Sequence, residues 1–114
     1  MIAVVVGAAF VAMAASGALL RGVVIRGVKA NHTFPFGTFA VNVSGSFAAG
    51  LLSHLTGAWA TVVVVGFLGA YTTVSSFARD AVVLVQNRNA KVAATYVAAT
   101  SLVSIVAAFV GLQF

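Results

Sequence analysis

The 114-residue chain has no cysteine, a single proline and a single acidic residue, Asp80. Without cysteine there is neither a disulfide nor a thiolate metal site, so the sequence carries no mark of redox compartment. His32 and His54 stand apart, and no metal-ligand cluster, nucleophile–base pair or phosphate-cradling loop can be assembled, which leaves enzyme chemistry little to stand on. Charge of either sign is scarce as well. Only 6% of residues are charged, against roughly 25% in soluble domains, while 62% are hydrophobic and the mean hydropathy is +1.16. Such a chain lives in lipid. Net charge +5 and an isoelectric point near 11.0 would suggest nucleic acid as the partner of a soluble protein, but that footprint needs a solvated face. Here the basic residues are topogenic, and nucleic acid is not an expected partner.

What is present is long uncharged sequence. Arg21, Arg26, Lys29, Arg79, Asp80, Arg88 and Lys91 are the only charges, leaving residues 1–20, 30–78 and 92–114 free of them. A bilayer crossing takes about 20 apolar residues. The pattern therefore predicts an all-α, single integral-membrane domain of four transmembrane helices, over about residues 2–20, 35–55, 60–85 and 92–112. Arg21 and Gly22 end the first helix in this reading, Pro35 opens the second, and Thr56, Gly57 and Ala58 turn the chain beside Trp59. Ala14, Ala15 and Ser16 resemble a signal-peptide cleavage site, but the missing basic n-region argues against one. In the third span, Gly66 and Gly69 are followed by Thr72, Thr73, Ser75 and Ser76 at mid-membrane depth. That composition predicts an interrupted helix, tolerated in lipid only where protein or a water-filled cavity covers it.

Polar residues inside a membrane face a bundle interior, a partner or a pathway. At about 100° per residue, Thr38, Asn42, Ser46 and Ser53 fall in one sector of the second helix. Tyr96, Thr100 and Ser104 recur at i, i+4 and i+8 on the last. Each hydroxyl could instead bond its own i−4 carbonyl or serve as a small packing residue. Asn42 has two donors a helix cannot use, so helix–helix glue and ligand donation stand level. Phe77 reads by composition as a lipid-facing or core residue. Arg21 and Arg79 read as snorkelling helix ends, with Asp80 a partial counter-charge. A chain this short cannot enclose both stripes and a broken helix alone, so they require another copy or another chain.

Three segments are recognisable: Ser16-Gly17-Ala18-Leu19-Leu20-Arg21, Phe36-Gly37-Thr38-Phe39-Ala40-Val41-Asn42-Val43-Ser44-Gly45-Ser46-Phe47, and Gly66-Phe67-Leu68-Gly69-Ala70-Tyr71-Thr72-Thr73-Val74-Ser75-Ser76-Phe77. They resemble the Fluc (CrcB) family of small fluoride channels. The resemblance implies an antiparallel dimer of four-helix subunits with two fluoride pathways and a structural sodium ion at its centre, passively exporting fluoride that entered as HF. By position it implies Asn42 and Phe77 on the pathway, the latter through its positive ring edge. Tyr96, Thr100 and Ser104 would form a polar track, with Thr38, Ser75 and Ser76 as further pathway residues. Gly69 and Thr72 would offer backbone carbonyls to sodium, and Arg21 would be the basic residue ending helix one. Asp80 stands where the family usually has glutamate. Val74 replaces the first of the family's two pore phenylalanines and has no comparable ring edge.

Charge bias adds a constraint of its own. Arg26, Lys29, Arg88 and Lys91 all fall on one side of the membrane, and the other side has no basic loop residue. The positive-inside rule places those loops in the cytoplasm and both termini outside the plasma (inner) membrane. A chain that inserts one way requires, for an antiparallel partner, a distinct and oppositely biased homologue, and the expectation is one half of a heterodimer. A dual-topology homodimer is the alternative. A small four-helix multidrug transporter would need a membrane-embedded acid in helix one, which has none, and a non-transporting scaffold would have no use for the stripes.

Overall fold

A computed structural model describes residues 1–28 and 34–114. The loop residues Lys29, Asn31 and His32 lie outside the described residues. Helix α1 spans Ile2–Gly27 and α2 spans Phe36–Leu51. A run labelled α3 comprises Ala58–Thr61, a π-helical Val62–Leu68 and Gly69–Tyr71. Helices α4, Val74–Gln86, and α5, Ala90–Leu112, complete the chain. There are no strands among the described residues.

Two boundaries differ from expectation for local reasons. Arg21 does not end α1. Its guanidinium finds a carbonyl on α3, and the helix continues through Arg26, whose Nε donates to the Gly22 carbonyl at 3.2 Å. Helix α2 stops at Leu51, short of residue 55, because Ser53 Oγ donates to the Gly50 carbonyl at 2.8 Å and His54 Nδ1 lies 3.1 Å from that of Leu51. Side chains thus occupy carbonyls at the helix end. Pro35, with φ −77°, sits just before α2 as its cap.

Among the described residues, three segments are long and apolar enough to cross a bilayer: Ile2–Gly27, Ala58–Gln86 and Ala90–Leu112. Helix α2, at 16 residues, extends about 24 Å at 1.5 Å per residue and lies along α5, while α1 lies along α3 and α4 along α5. The protein is a membrane protein, and its outer surface is correspondingly apolar. Gly17 is the one buried residue on α1, whereas Val4, Val11, Leu19 and Val23 are exposed.

The helices meet backbone to backbone at glycines. A Cβ on Gly50 would fall on the Ala108 carbonyl oxygen and one on Gly111 on that of Phe47, so α2 and α5 interlock at both positions. Gly17 lets α1 reach the Phe67 carbonyl of α3 in the same way, and Gly45 admits the Thr72 methyl. Close approach through small residues is how apolar helices associate without a solvent-driven force between them. Around these contacts Val41, Leu68 and Tyr71 form one buried cluster, and Leu84, Ala93 and Tyr96 a second. Gly50→Ala should lower stability by about 1–3 kcal/mol through overpacking. Gly7→Ala, with open space around it, should be neutral, and thermal unfolding in detergent compares the two.

Candidate ion pathway

Between α3 and α4 the backbone is extended, with Thr72 at φ −75°, ψ 158° and Thr73 at φ −149°, ψ 117°. In a continuous helix the Thr73 N–H would reach the Gly69 carbonyl, and the Ser76 N–H that of Thr72. Neither does. Thr73 N–H donates to Asn42 Oδ1 at 2.8 Å, while Asn42 Nδ2 donates back to the Thr73 carbonyl at 3.0 Å. Ser76 N–H donates to Thr73 Oγ1 at 3.1 Å, which makes Thr73 the N-cap of α4. Arg21 Nη1 donates to the Ala70 carbonyl at 3.1 Å, placing a cation at the negative end of α3. Asn42 of α2 therefore holds the extended Thr73 directly, and Arg21 of α1 fixes the end of α3 just before it. That contact corrects the reading of Arg21 as a snorkelling helix end.

Beside Thr73 lies a cavity of about 490 Å³ lined by Asn42, Val74, Phe77, Thr100 and Ser104 among others. Thr100 is 4% exposed, and among the described residues the buried hydroxyls of Thr100 and Ser104 have no hydrogen-bond partner. Hydroxyls elsewhere behave differently. Ser16, Ser46, Thr61, Thr72 and Thr95 all donate to their own i−4 carbonyls. Ser46 and Ser53 of the α2 stripe are accordingly satisfied by their own chain, whereas Thr100 and Ser104 are not.

Thr38, Tyr96 and Asp80 meet at one oxygen. Thr38 Oγ1 donates to Asp80 Oδ2 at 2.8 Å, and the hydroxyl of the fully buried Tyr96 reaches the same atom at 3.4 Å. The Phe77 ring centroid is 5.2 Å from that of Tyr96. Arg79, 78% exposed, stands 3.8 Å from Asp80 Oδ1, a solvated pair of small energetic weight. A second cavity of about 630 Å³ is lined by Thr38, Ser76, Arg79 and Asp80, with Phe34 and Pro35. Thus Asn42, Phe77, Thr100, Ser104, Gly69 and Thr72 share one cavity, and Thr38, Ser76 and Asp80 share the other. The Phe77–Tyr96 pair connects the two groups. The exposed Ser75 and the half-buried Arg21 line neither.

Sequence reasoning placed Thr73 in the interrupted segment but missed its pairing with Asn42 and its capping of α4, although a hydroxyl residue directly before an apolar helical run is an N-cap signature. It also missed Phe34, whose ring meets Tyr96 edge-on at 5.3 Å. Phe34 precedes α2 and carries no periodic signal. Among the described residues no three His, Cys, Asp or Glu side chains come together.

Comparison with known proteins gives a consistent picture. The family described as CrcB-like protein, Camphor Resistance (CrcB), matches residues 8–112. The fluoride-specific ion channel FluC 1 of Listeria monocytogenes is 38% identical over 105 residues, covering 88% of each chain. FluC 2 of Bacillus cereus is 39% identical over 88 residues, 75% of each. FluC 4 of Brucella melitensis is 40% identical over 94 residues, 75% of this chain and 82% of its own. With a family match over nearly its whole length and relatives that similar, this chain belongs to the CrcB-like family.

Proposed function

We propose that this chain is a subunit of a fluoride-selective channel of the plasma (inner) membrane, through which fluoride leaves the cell passively and its toxicity is relieved. The observation that carries the reading is the pair of buried, unpartnered hydroxyls at Thr100 and Ser104 on the cavity beside Thr73. Leaving a buried donor unmet costs about 1–3 kcal/mol. Both residues line the cavity, so an anion arriving there would find beside it two hydroxyls that no protein group has taken. Fluoride is small and strongly hydrated, so it crosses only where fixed donors replace its water. Neutral hydroxyls do this without a countercharge that would trap it. Asn42 has a second N–H beyond the one given to Thr73, and Phe77 can turn a positive ring edge to the anion. Beyond Phe77, the ion would pass Tyr96, Thr38 and Ser76, with Ser75 and Asp80 at the margin of the path.

Sodium fits the extended residues as a structural ion. The Gly69 and Thr72 carbonyls are those whose helical donors are directed elsewhere, and a hard cation takes oxygen ligands of this kind. Gly69 is exposed in the single chain, which suits a site completed by a second subunit.

That subunit lies antiparallel and, from the charge bias, is a distinct homologue rather than another copy. Arg26, Arg88 and Lys91 commit this chain to one orientation, with both termini outside. Val74, where the first pore phenylalanine is expected, is 80% exposed and offers an aliphatic surface without a ring quadrupole. One pathway of the pair keeps its phenylalanines through Phe77 and the partner's residue, while the other is degraded.

Two outcomes follow. A hydrogen bond to a charged group contributes about 1.5–3 kcal/mol, so Thr100→Val and Ser104→Ala should each slow fluoride efflux by roughly 10- to 100-fold, with Phe77→Ile also severe. Thr95→Val, at an exposed residue bonded to its own helix, should leave efflux unchanged. Normal efflux from both Thr100→Val and Ser104→Ala contradicts the pathway. For the partner, this chain expressed by itself in a fluoride-sensitive bacterium should rescue growth poorly, with terminal tags only outside. Full rescue with tags on both sides would instead establish a dual-topology homodimer.

A further inference from the structure

Asn42 is placed by resemblance on the ion path, yet its carboxamide is engaged first with the protein's own backbone. Oδ1 accepts from the Thr73 N–H at 2.8 Å, and Nδ2 donates to the carbonyl of the same residue at 3.0 Å. The pair is reciprocal and reads as an amide–amide match between α2 and the extended segment. Its effect falls on Gly69. The Thr73 N–H is the group that would otherwise close the next helical turn onto the Gly69 carbonyl. Thr72 is treated in parallel, because Thr73 Oγ1 takes the Ser76 N–H that a continuous helix would direct at the Thr72 carbonyl. Ala70, lying between them, differs in that its carbonyl is occupied by Arg21. Of the four carbonyls from Gly69 to Thr72, that of Ala70 is covered by Arg21, while those of Gly69 and Thr72 have their helical donors drawn to side-chain acceptors.

We infer that Asn42 is a positioning residue that frees the Gly69 carbonyl for a cation by drawing the Thr73 N–H away from it. This rests on the sodium reading above and names the residue that prepares the site. It also gives Asn42 one N–H, not two, to offer the fluoride path. The second carbonyl is prepared by Thr73 itself, so the ligand pair depends on one side chain from α2 and one within the extended segment.

The inference concerns a hydrogen bond, and a spectroscopic signature reads it independently of ion flux. In this chain, assembled with its partner subunit, reconstituted in lipid and labelled with ¹⁵N at Thr73 and ¹³C at the Gly69 carbonyl, Asn42→Ala should create a hydrogen-bond coupling between the two that is absent from the wild type. Asn42→Asp, which keeps an oxygen acceptor for the Thr73 N–H, should leave that coupling absent. Sodium titration, followed by the Gly69 carbonyl shift, should show an affinity lowered by about 10- to 100-fold in Asn42→Ala, the usual effect of removing a group that orients a metal ligand. Asn42→Asp should retain most of it. A Thr73–Gly69 coupling already present in the wild type, or a sodium affinity equal in wild type and Asn42→Ala, overturns the inference. If the wild-type carbonyl does not respond to sodium at all, the sodium reading fails and the ion-preparing role with it, while the fluoride pathway through Thr100 and Ser104 is untouched.

Discussion

Inside a bilayer a backbone N–H or carbonyl has no water to turn to, and this requirement organises the structure around two residues, Thr72 and Thr73. Extending the chain there removes helical partners from both flanks in the least forgiving solvent available. Several of the freed groups are met by side chains, some of them from distant parts of the sequence. Asn42 and Arg21 reach across from α2 and α1, and Thr73 caps the helix it begins. Close packing is a condition for that reach. Gly17 and Gly45 bring α1 and α2 against α3 and Thr72, and a larger residue at either position would hold the elements apart.

The same condition separates two uses of a hydroxyl. Where Ser or Thr bonds its own helix, as at Ser46 and Thr95, it is satisfied and inert toward a passing ion. Thr100 and Ser104 lie on a cavity wall without that bond, and their buried hydroxyls retain donor capacity. Tyr96 belongs to the same periodic row but is committed to the Asp80 carboxylate along with Thr38. One row on α5 thus contains both anchored and available hydroxyls, and only the three-dimensional contacts tell them apart.

Much of the architecture was legible in sequence because lipid leaves few choices. Charge-free runs located the helices, and the i, i+4, i+8 spacing placed Tyr96, Thr100 and Ser104 on one face. The extent of α1 was not legible. A lone arginine after an apolar run reads as a helix end unless its distant acceptor, the Ala70 carbonyl, is known. Asn42 was singled out for having more donors than a helix can use, but its partner is a backbone amide 31 residues away, and nothing periodic connects the two. The Phe34–Tyr96 contact escaped for the same reason, since it joins a residue outside any helix to one on α5.

The proposed path would present an arriving anion with neutral donors carried on packed helices. The most direct test is ion efflux from proteoliposomes containing this chain, alone and together with an oppositely oriented homologue, with fluoride and chloride recorded from the same vesicles. The account predicts rapid fluoride efflux with chloride retained from at least one of these preparations. Vesicles that retain fluoride in both, or lose chloride as fast as fluoride, would contradict it.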